Sequence, residues 1–568
     1  MKTITKIFYI FIDIQYDLSY IYSMFIRITK SKNYEYVNIV RTYRDEGTVK
    51  HKNIASLGRL DLLRNDPSWK NIIHKLFLMI DSDSVLVDKN DGIKETDRLY
   101  WGYIVYKKLW NKFNFDELLK NALYNKKTEF NFPQAVFTMV IDRLLHPRSK
   151  LKTYENQKKY VGLDEVSLQH LYRSLDILCD FKDTIEDELF EKNRTLFNMK
   201  VDVVFYDVTT FYFESVRPNS LKDFGYGKDG KFNEVQVVFG LLIDQEGRPI
   251  GFEVFSGNTF EGKTLTAFLD KMKKRFCLNK VVIVADRGLN SKLNLKAIKD
   301  SEYDYIVGSR IKNLKKSLKE KVLDEKEYIK INTNSNDDGD TIKYKIVDNE
   351  MTGKDENDKS YILKDKIICT WSSKRAKKDK NDRLRLVEKA KQIISNNESI
   401  NVKKGAKKYL DVTIKDKPVL DNAKIKDDEK WDGYYGIQTS SKDLSWNEVL
   451  NAYHTLWKIE ESFRILKTTL EARPMFHWTE KRIKGHLVSC FMSFLLERTL
   501  EIKLKNNKID CSPARIRESL NTLQFSELTI QGDKYYLKSS SNSLSKKILR
   551  AMRIKSPNNL TPKKEFSL

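Results

Sequence analysis

The run KVVIVADRG, residues 280–288, limits the fold more than any other stretch of the chain. Val281, Val282, Ile283, Val284 and Ala285 follow one another without a polar face. A strand of this kind is buried on both sides, inside a sheet covered by helices. Asp286 closes the run, and Gly288 permits a tight turn away from it. Strand tips in α/β sheets are where ligands gather.

The surrounding sequence extends that sheet. VDVVFYDVTTFYFES reads as a strand, with Asp207 inside it. NEVQVVFGLLID and PIGFEVFSGN read as two more, joined by the turn QEGR. GKTLTAFLDKMKKRF and NSKLNLKAIKDS have helical spacing, and YDYIVGS is again a strand. Three meandering strands followed by alternating helix and strand is the order of a ribonuclease-H-like sheet, so the fold class is α/β.

Composition brackets this core. Lys and Arg number 103 against 79 Asp and Glu, a net charge of +24. Such a surplus repels itself unless a polyanion offsets it; nucleic acid is the expected partner, with an anionic membrane surface second. The cysteines are scattered, with neither disulfide nor zinc spacing, which suits the cytoplasm. Residues 1–23 are apolar but broken by Asp13 and Asp17, so no signal peptide or membrane span is expected. They read as an upstream extension, with Met24 as the natural start.

Residues 24–94 are expected to hold a hairpin turning at DEG. Residues 95–199 have helical spacing, with Ser167 as an N-cap, and form a mainly helical region suited to DNA binding. The core occupies 200–310. Residues 311–430 break the pattern with lysine-rich, strand-like pieces, and read as a mostly β insertion domain. Strand character resumes at DGYYGIQTS, within a second part of the core spanning 431–500. Residues 501–568 read as a basic C-terminal region ending in a disordered tail.

The second part of the core holds SWNEVLNAYHTLWKIEESFRILKTTLEARP, residues 445–474. Ser445 and Glu448 form a capping box that starts a helix. At about 100° per residue, Tyr453, Trp457, Glu460, Arg464 and Lys467 share one stripe, opposite Ala452, Ile459, Leu466 and Leu470. Glu461 falls at the margin and is expected to be a solvated acid. Glu460 therefore faces a site, and Asp207 and Asp286 are the acids it can join. A carboxylate inside a strand must meet solvent, a cation or a metal, because burial unpaired costs several kcal/mol.

YDVTTFYFES, ADRG and YHTLWKIEESFRILK resemble the catalytic motifs of bacterial insertion-sequence transposases of the DDE type. The branch resembled carries a Tyr-(2)-Arg-(3)-Glu-(6)-Lys signature. Tyr453, Glu460 and Lys467 match it, and Leu456 stands at the arginine position. SGNTFEGKTL and RPMFHWTEKRIKGH resemble the same branch, and the likeness covers most of 24–500.

The resemblance implies that Asp207, Asp286 and Glu460 are the catalytic acids. They would hold two Mg²⁺ ions, with Mn²⁺ as a substitute, for phosphodiester cleavage and strand transfer. It implies that Tyr453 and Lys467 contact DNA, with Arg464 or Lys458 as the candidates to supply the missing arginine contact and Trp457 beside them on the stripe. Lys374, Arg375, Lys377 and Lys378 are candidate phosphate contacts. Trp371 and Trp431 read as core residues before stacking ones. The implied partner is double-stranded DNA, both element ends and target, bound by a homodimer, with no membrane. A nuclease without strand transfer, and an inactive DNA-binding relative, are the alternatives.

Overall fold

The computed structural model describes residues 24–45, 48–80, 94–123, 128–197, 199, 202–225, 233–276, 281–331, 340–355, 358–396, 405–411, 418–530 and 533–566. The chain divides into two compact units, residues 1–93 and 94–568.

In the first unit, β1 (Met24–Ser31), β2 (Tyr34–Asp45) and β3 (Thr48–Arg59) form an antiparallel meander. The hairpin expected at DEG is present, with Asp45 opposite Thr48. Two helices follow, α1 (Leu60–Asn65) and α2 (Ser68–Ile80). The expected extension before Met24 lies outside the described residues.

The second unit begins with β4 (Lys94–Tyr100), where helix was expected. Its strand character depends on a distant partner, Gln524–Ile530, which local periodicity cannot reveal. Six helices follow as anticipated: α3 (Ile104–Lys112), α4 (Phe115–Ala122), α5 (Phe132–Leu145), α6 (Lys150–Asn156), α7 (Leu168–Asp180) and α8 (Lys182–Phe197). Ser167 caps α7, accepting a hydrogen bond from the His170 amide.

The sheet comes next. β5 (Val203–Tyr212), β6 (Gln236–Ile243) and β7 (Pro249–Ser256) form an antiparallel meander. Then come α9 (Thr264–Lys274), β8 (Val282–Ala285), α10 (Lys292–Asp300) and β9 (Asp304–Gly308). β8 lies parallel between β5 and β9, so the order β7-β6-β5-β8-β9 is the ribonuclease-H-like order expected.

The segment 311–430 extends this sheet. It contributes α11 (Lys316–Leu323), β10 (Ile329–Ile331), β11 (Ile342–Lys354) and β12 (Ser360–Ser372). Next come α12 (Ser373–Ser395), the short pair β13 (Leu410–Asp411) and β14 (Val419–Leu420), and α13 (Asn422–Glu429). β12 pairs with β15 (Tyr434–Thr439), which closes onto β9, giving nine strands in all. The expectation of a mostly β insertion is corrected, because α12 alone runs 23 residues. Its Lys, Arg, Ala, Leu and Gln residues are strong helix formers, and Ser372 caps it by accepting from the Arg375 amide.

α14 (Trp446–His454), α15 (Trp457–Arg464) and the long α16 (Glu480–Asn506) follow. α16 packs on α5 and α7 so closely that a Cβ at Gly485 would stand 1.8 Å from the Leu175 carbonyl. α17 (Pro513–Asn521), β16 (Gln524–Ile530), β17 (Asp533–Lys538), α18 (Ser543–Ala551) and β18 (Leu560–Pro562) complete the unit. The strands form a second sheet, β18-β17-β16-β4. The disordered tail expected is corrected as well: β18 pairs with β17, and the Phe566 ring lies 5.1 Å from Phe525 and 5.0 Å from Tyr536. Among the described residues, no helix is long and apolar enough to cross a membrane.

Candidate active site

Alternation along β5 assigns its side chains to two faces. Phe205 and Phe211 join the core shared with Val284, Ile306, Ile459, Phe463 and Leu466. Val204, Tyr206 and Val208 join the opposite core with Ile283, Ala285, Leu265 and Phe268. Asp207 falls on the first face, and so does Asp286, one residue beyond Ala285. Tyr206 and Ala285 are register partners in the parallel β5–β8 pair. Asp207 and Asp286 therefore leave neighbouring strands at the same level, with backbones about 4.8 Å apart. Asp207 is half-buried and Asp286 exposed. Each accepts a hydrogen bond on Oδ1 from the next amide, Val208 at 2.8 Å and Arg287 at 2.6 Å. Asp286 makes no ion pair among the described residues.

α15 packs on β5 from the same face. Ile459, Ser462 and Phe463 are buried, so Trp457, Glu460 and Arg464 point outward. Glu460 has neither hydrogen bond nor ion pair among the described residues. It does not close on the aspartates: the one described group of three acids with oxygens all within 4.8 Å is Asp183, Glu186 and Glu253. Cations already fill that group. Lys182 Nζ lies 3.2 Å from Glu186 and 3.0 Å from Glu253, Lys271 touches both, and Arg275 pairs with Asp183 at 2.6 Å. It is an ion-pair cluster joining α8, β7 and α9.

Glu461 corrects an expectation. It is half-buried and pairs with Arg498 at 3.2 Å, with Arg464 at 3.7 Å. The single continuous helix also needs revision. The capping box at Ser445 is present, but the hydrogen bonds tighten at Thr455 and Leu456, where Lys458 N bonds Thr455 O and Ile459 N bonds Leu456 O. The Thr455 hydroxyl donates to the Asn451 carbonyl at 2.8 Å, a side-chain bond that bends helices. After Arg464 the turn widens to π spacing over Ile465–Thr469, which rotates Lys467 away from its ideal position. The two faces survive these irregularities, since Ile459, Leu466 and Leu470 are buried. Leu456 is buried in the same core and cannot reach DNA.

Tyr453 ends α14 beside the carboxylates. Its hydroxyl accepts from Tyr435 at 2.8 Å. A Cβ on Gly308, at the tip of β9, would meet that oxygen at 2.6 Å. Burial holds the Tyr453 phenol above its usual range, with the Tyr435 hydroxyl and the Asp286 charge adding to it. Arg375 stacks over the Tyr435 ring at 4.5 Å, Arg287 lies 5.7 Å from the same ring, and Arg310 donates to the Arg287 carbonyl at 3.2 Å. Arg287, Arg310 and Arg375 thus make a basic rim beside Asp286. Tyr435 and Arg310 were missed as a pair with it, since only the β9–β15 pairing unites them. In the sequence Arg310 reads, with Lys312, Lys315 and Lys316, as a candidate phosphate contact, without the pairing that sets it beside Asp286.

Lys374, Lys377 and Lys378 are exposed on α12, and Arg375 also pairs with Asp379 at 3.6 Å. Trp431 is buried in a core with Ile311, Val347 and Ile367, whereas Trp371 is half-buried, with its indole donating to the Asp432 carbonyl and Lys343 over its ring.

The site is thus an α/β sheet with two aspartates abreast and a glutamate-bearing helix packed on their face. A family model described as "Transposase DDE domain" matches residues 200–496, more than half of the chain, and "IS1634 family transposase, N-terminal domain" matches residues 26–79. The chain belongs to the DDE transposases of insertion sequences. No curated protein matches it. Among solved structures, a piggyBac transposase synaptic complex with hairpin DNA is similar at 10% identity and TM-score 0.34, covering 75% of this chain and 82% of that one. A Mos1 transposase paired-end complex is similar at 12% identity and TM-score 0.14, covering 43% and 70%. At these TM-scores neither likeness bears on the assignment.

DDE domains use divalent metal ions. The residues here fit such ions: the three acids offer only carboxylate oxygens, and Asp286 and Glu460 make no ion pair among the described residues, as hard cations require.

Proposed function

We propose that this transposase binds the inverted repeats ending its own element, cuts there, and joins the freed strands to target DNA. Asp207, Asp286 and Glu460 are the catalytic acids, and between them they would hold two Mg²⁺ ions. The observation carrying this reading is the register of Tyr206 with Ala285, which sets Asp207 beside Asp286 on the face of α15.

When bound, such ions stabilise the charge that builds on attacking and leaving oxygens in phosphoryl transfer. The chain's own residues do the remainder. The aspartates, anchored by their amide hydrogen bonds, present oxygens at a fixed level. Glu460, exposed and unpaired, swings onto them when DNA is seated. The rim of Arg287, Arg310 and Arg375 attracts the phosphates. Tyr453, Trp457, Arg464 and Lys467 guide the strand past the acids, and Lys374, Lys377 and Lys378 neutralise phosphates farther along. Two ends must be held together, so the active form is a homodimer on DNA.

The test is an end-labelled duplex carrying the element's terminus, incubated with Mg²⁺ and with wild type or Asp207→Ala. Wild type alone should cut and then give strand-joined products. Cutting without joining favours a simple nuclease. Binding by both proteins with cutting by neither leaves only a DNA-binding protein.

A further inference from the structure

Behind the chain segment that leaves α15 lies a cavity of about 110 Å³. Arg143, Lys150, Arg473, His477 and His486 line it, with Glu471 as its acid. Lys150 is 3% exposed and has no carboxylate partner among the described residues. The nearby buried acid, Asp142, is matched by Arg148 at 3.3 Å and by the hydroxyls of Thr153 and Tyr160. Arg143 spends its Nη atoms on the carbonyls of Leu470, Glu471 and Arg148, and its buried Nε has no partner. His486, 4% exposed, leaves Nδ1 without a partner as well. Burial and Arg143 depress the Lys150 ammonium to about 7, and burial keeps His477 down at about 3. The Glu471 side chain is exposed and pairs with none of these donors. The Lys150 ammonium and the Arg143 Nε–H are buried donors without a partner, and they cost free energy until an anion meets them.

The surroundings indicate which anion. Met475, on the cavity wall, bonds the Tyr212 carbonyl through its amide at 3.4 Å, at the end of the strand that carries Asp207. Phe476 lines the mouth at 60% exposure, and Trp478 follows at 66%. An anion of phosphate size fits the cavity, whereas a base does not. A base attached to that phosphate would lie on the exposed rings.

We propose that this cavity binds one backbone phosphate of the DNA strand leading into the catalytic acids, with Phe476 stacking the adjoining base. The choice of DNA as occupant rests on the transposase reading, while the phosphate chemistry does not.

The test begins without DNA. At low ionic strength, inorganic phosphate should raise the melting temperature of the full chain and leave that of Lys150→Met unmoved. Lys150→Met removes an unmatched buried charge, so it should fold. Lys150→Arg, which keeps the charge, should keep the response. An equal phosphate response in wild type and Lys150→Met overturns the proposal, as does the absence of any response. A single-stranded oligonucleotide of the element end is then titrated against salt. Lys150→Met should lower the slope of log K on log salt by about 0.7, the loss of one phosphate contact. Phe476→Ala, a surface change, should weaken the oligonucleotide about tenfold and leave the phosphate response intact. If Lys150→Met abolishes the phosphate response but leaves the salt slope unchanged, the occupant is a free anion and the DNA assignment falls. If wild type binds neither this oligonucleotide nor the duplex element end, the transposase reading fails while the phosphate arm still reports on the cavity.

Discussion

Asp286 stands one strand over from Asp207, because the residues before them, Ala285 and Tyr206, are register partners in a parallel pair. Their adjacency comes from backbone hydrogen bonding inside the sheet, where both flanking cores are fully packed. The aspartate pair is therefore preformed, and on the proposed reading Glu460, on an exposed helix face, is the acid that would have to move.

Neighbouring glutamates on α15 have opposite roles, and substitution should separate them. Glu460→Gln should leave the melting temperature unchanged and abolish strand cleavage. Glu461→Gln should do the reverse. It removes a partner of Arg498, whose side chain is 8% exposed, at a cost of about 1–3 kcal/mol. Cleavage per folded molecule should persist. Thermal melts and end-cleavage assays on the same preparations check both outcomes.

Gly308 holds the Tyr453 hydroxyl close to the acids. A methyl group there would meet that oxygen at 2.6 Å. Gly308→Ala should displace the Tyr453–Tyr435 pair and slow cleavage by about 10²-fold, the usual result of misplacing a site by an ångström. Tyr453→Phe, which fits the space, should be much milder. Single-turnover cleavage rates compare the two.

Stability should fall as pH rises through neutrality. Burial and the charge of Glu501 raise Glu497 to about 8, and burial raises Glu501 to about 7, against an ordinary 4.5. The folded chain thus holds protons that the unfolded chain releases. The resulting stability is full below about pH 4.5 and is lost by about pH 8. Asp428, held down to about 2 by Lys408 and Lys312 against the opposing effect of burial, gives the opposite slope only in acid. Glu497→Gln should flatten the neutral-range slope of melting temperature against pH. Tyr106, whose hydroxyl donates to Glu497, keeps a partner in that variant.

The sequence disclosed whatever was periodic or local. The apolar run at 281–285, the meander before it and the capping box at Ser445 each depend on neighbours within a few residues. So did the outward face of Glu460, even though the helix breaks at Thr455 and widens after Arg464, because those changes nearly preserve the buried side. Pairings between distant segments were hidden. β4 needs β16, the tail needs Phe525 and Tyr536, and the basic rim needs β15 beside β9. Glu461 misled because its partner, Arg498, lies on another helix. α12 misled because its lysines and arginines stand out as a basic cluster between strand-like pieces, which hides their helical propensity.

The account stands on three remote acids sharing a pair of cations. Counting Mn²⁺ ions bound per chain on element-end DNA, by electron paramagnetic resonance, tests this most directly. Wild type should take two, Asp207→Ala and Asp286→Ala should lose tight binding, and Glu460→Gln should keep one. Two tightly held ions in Glu460→Gln, at wild-type affinity, would contradict it.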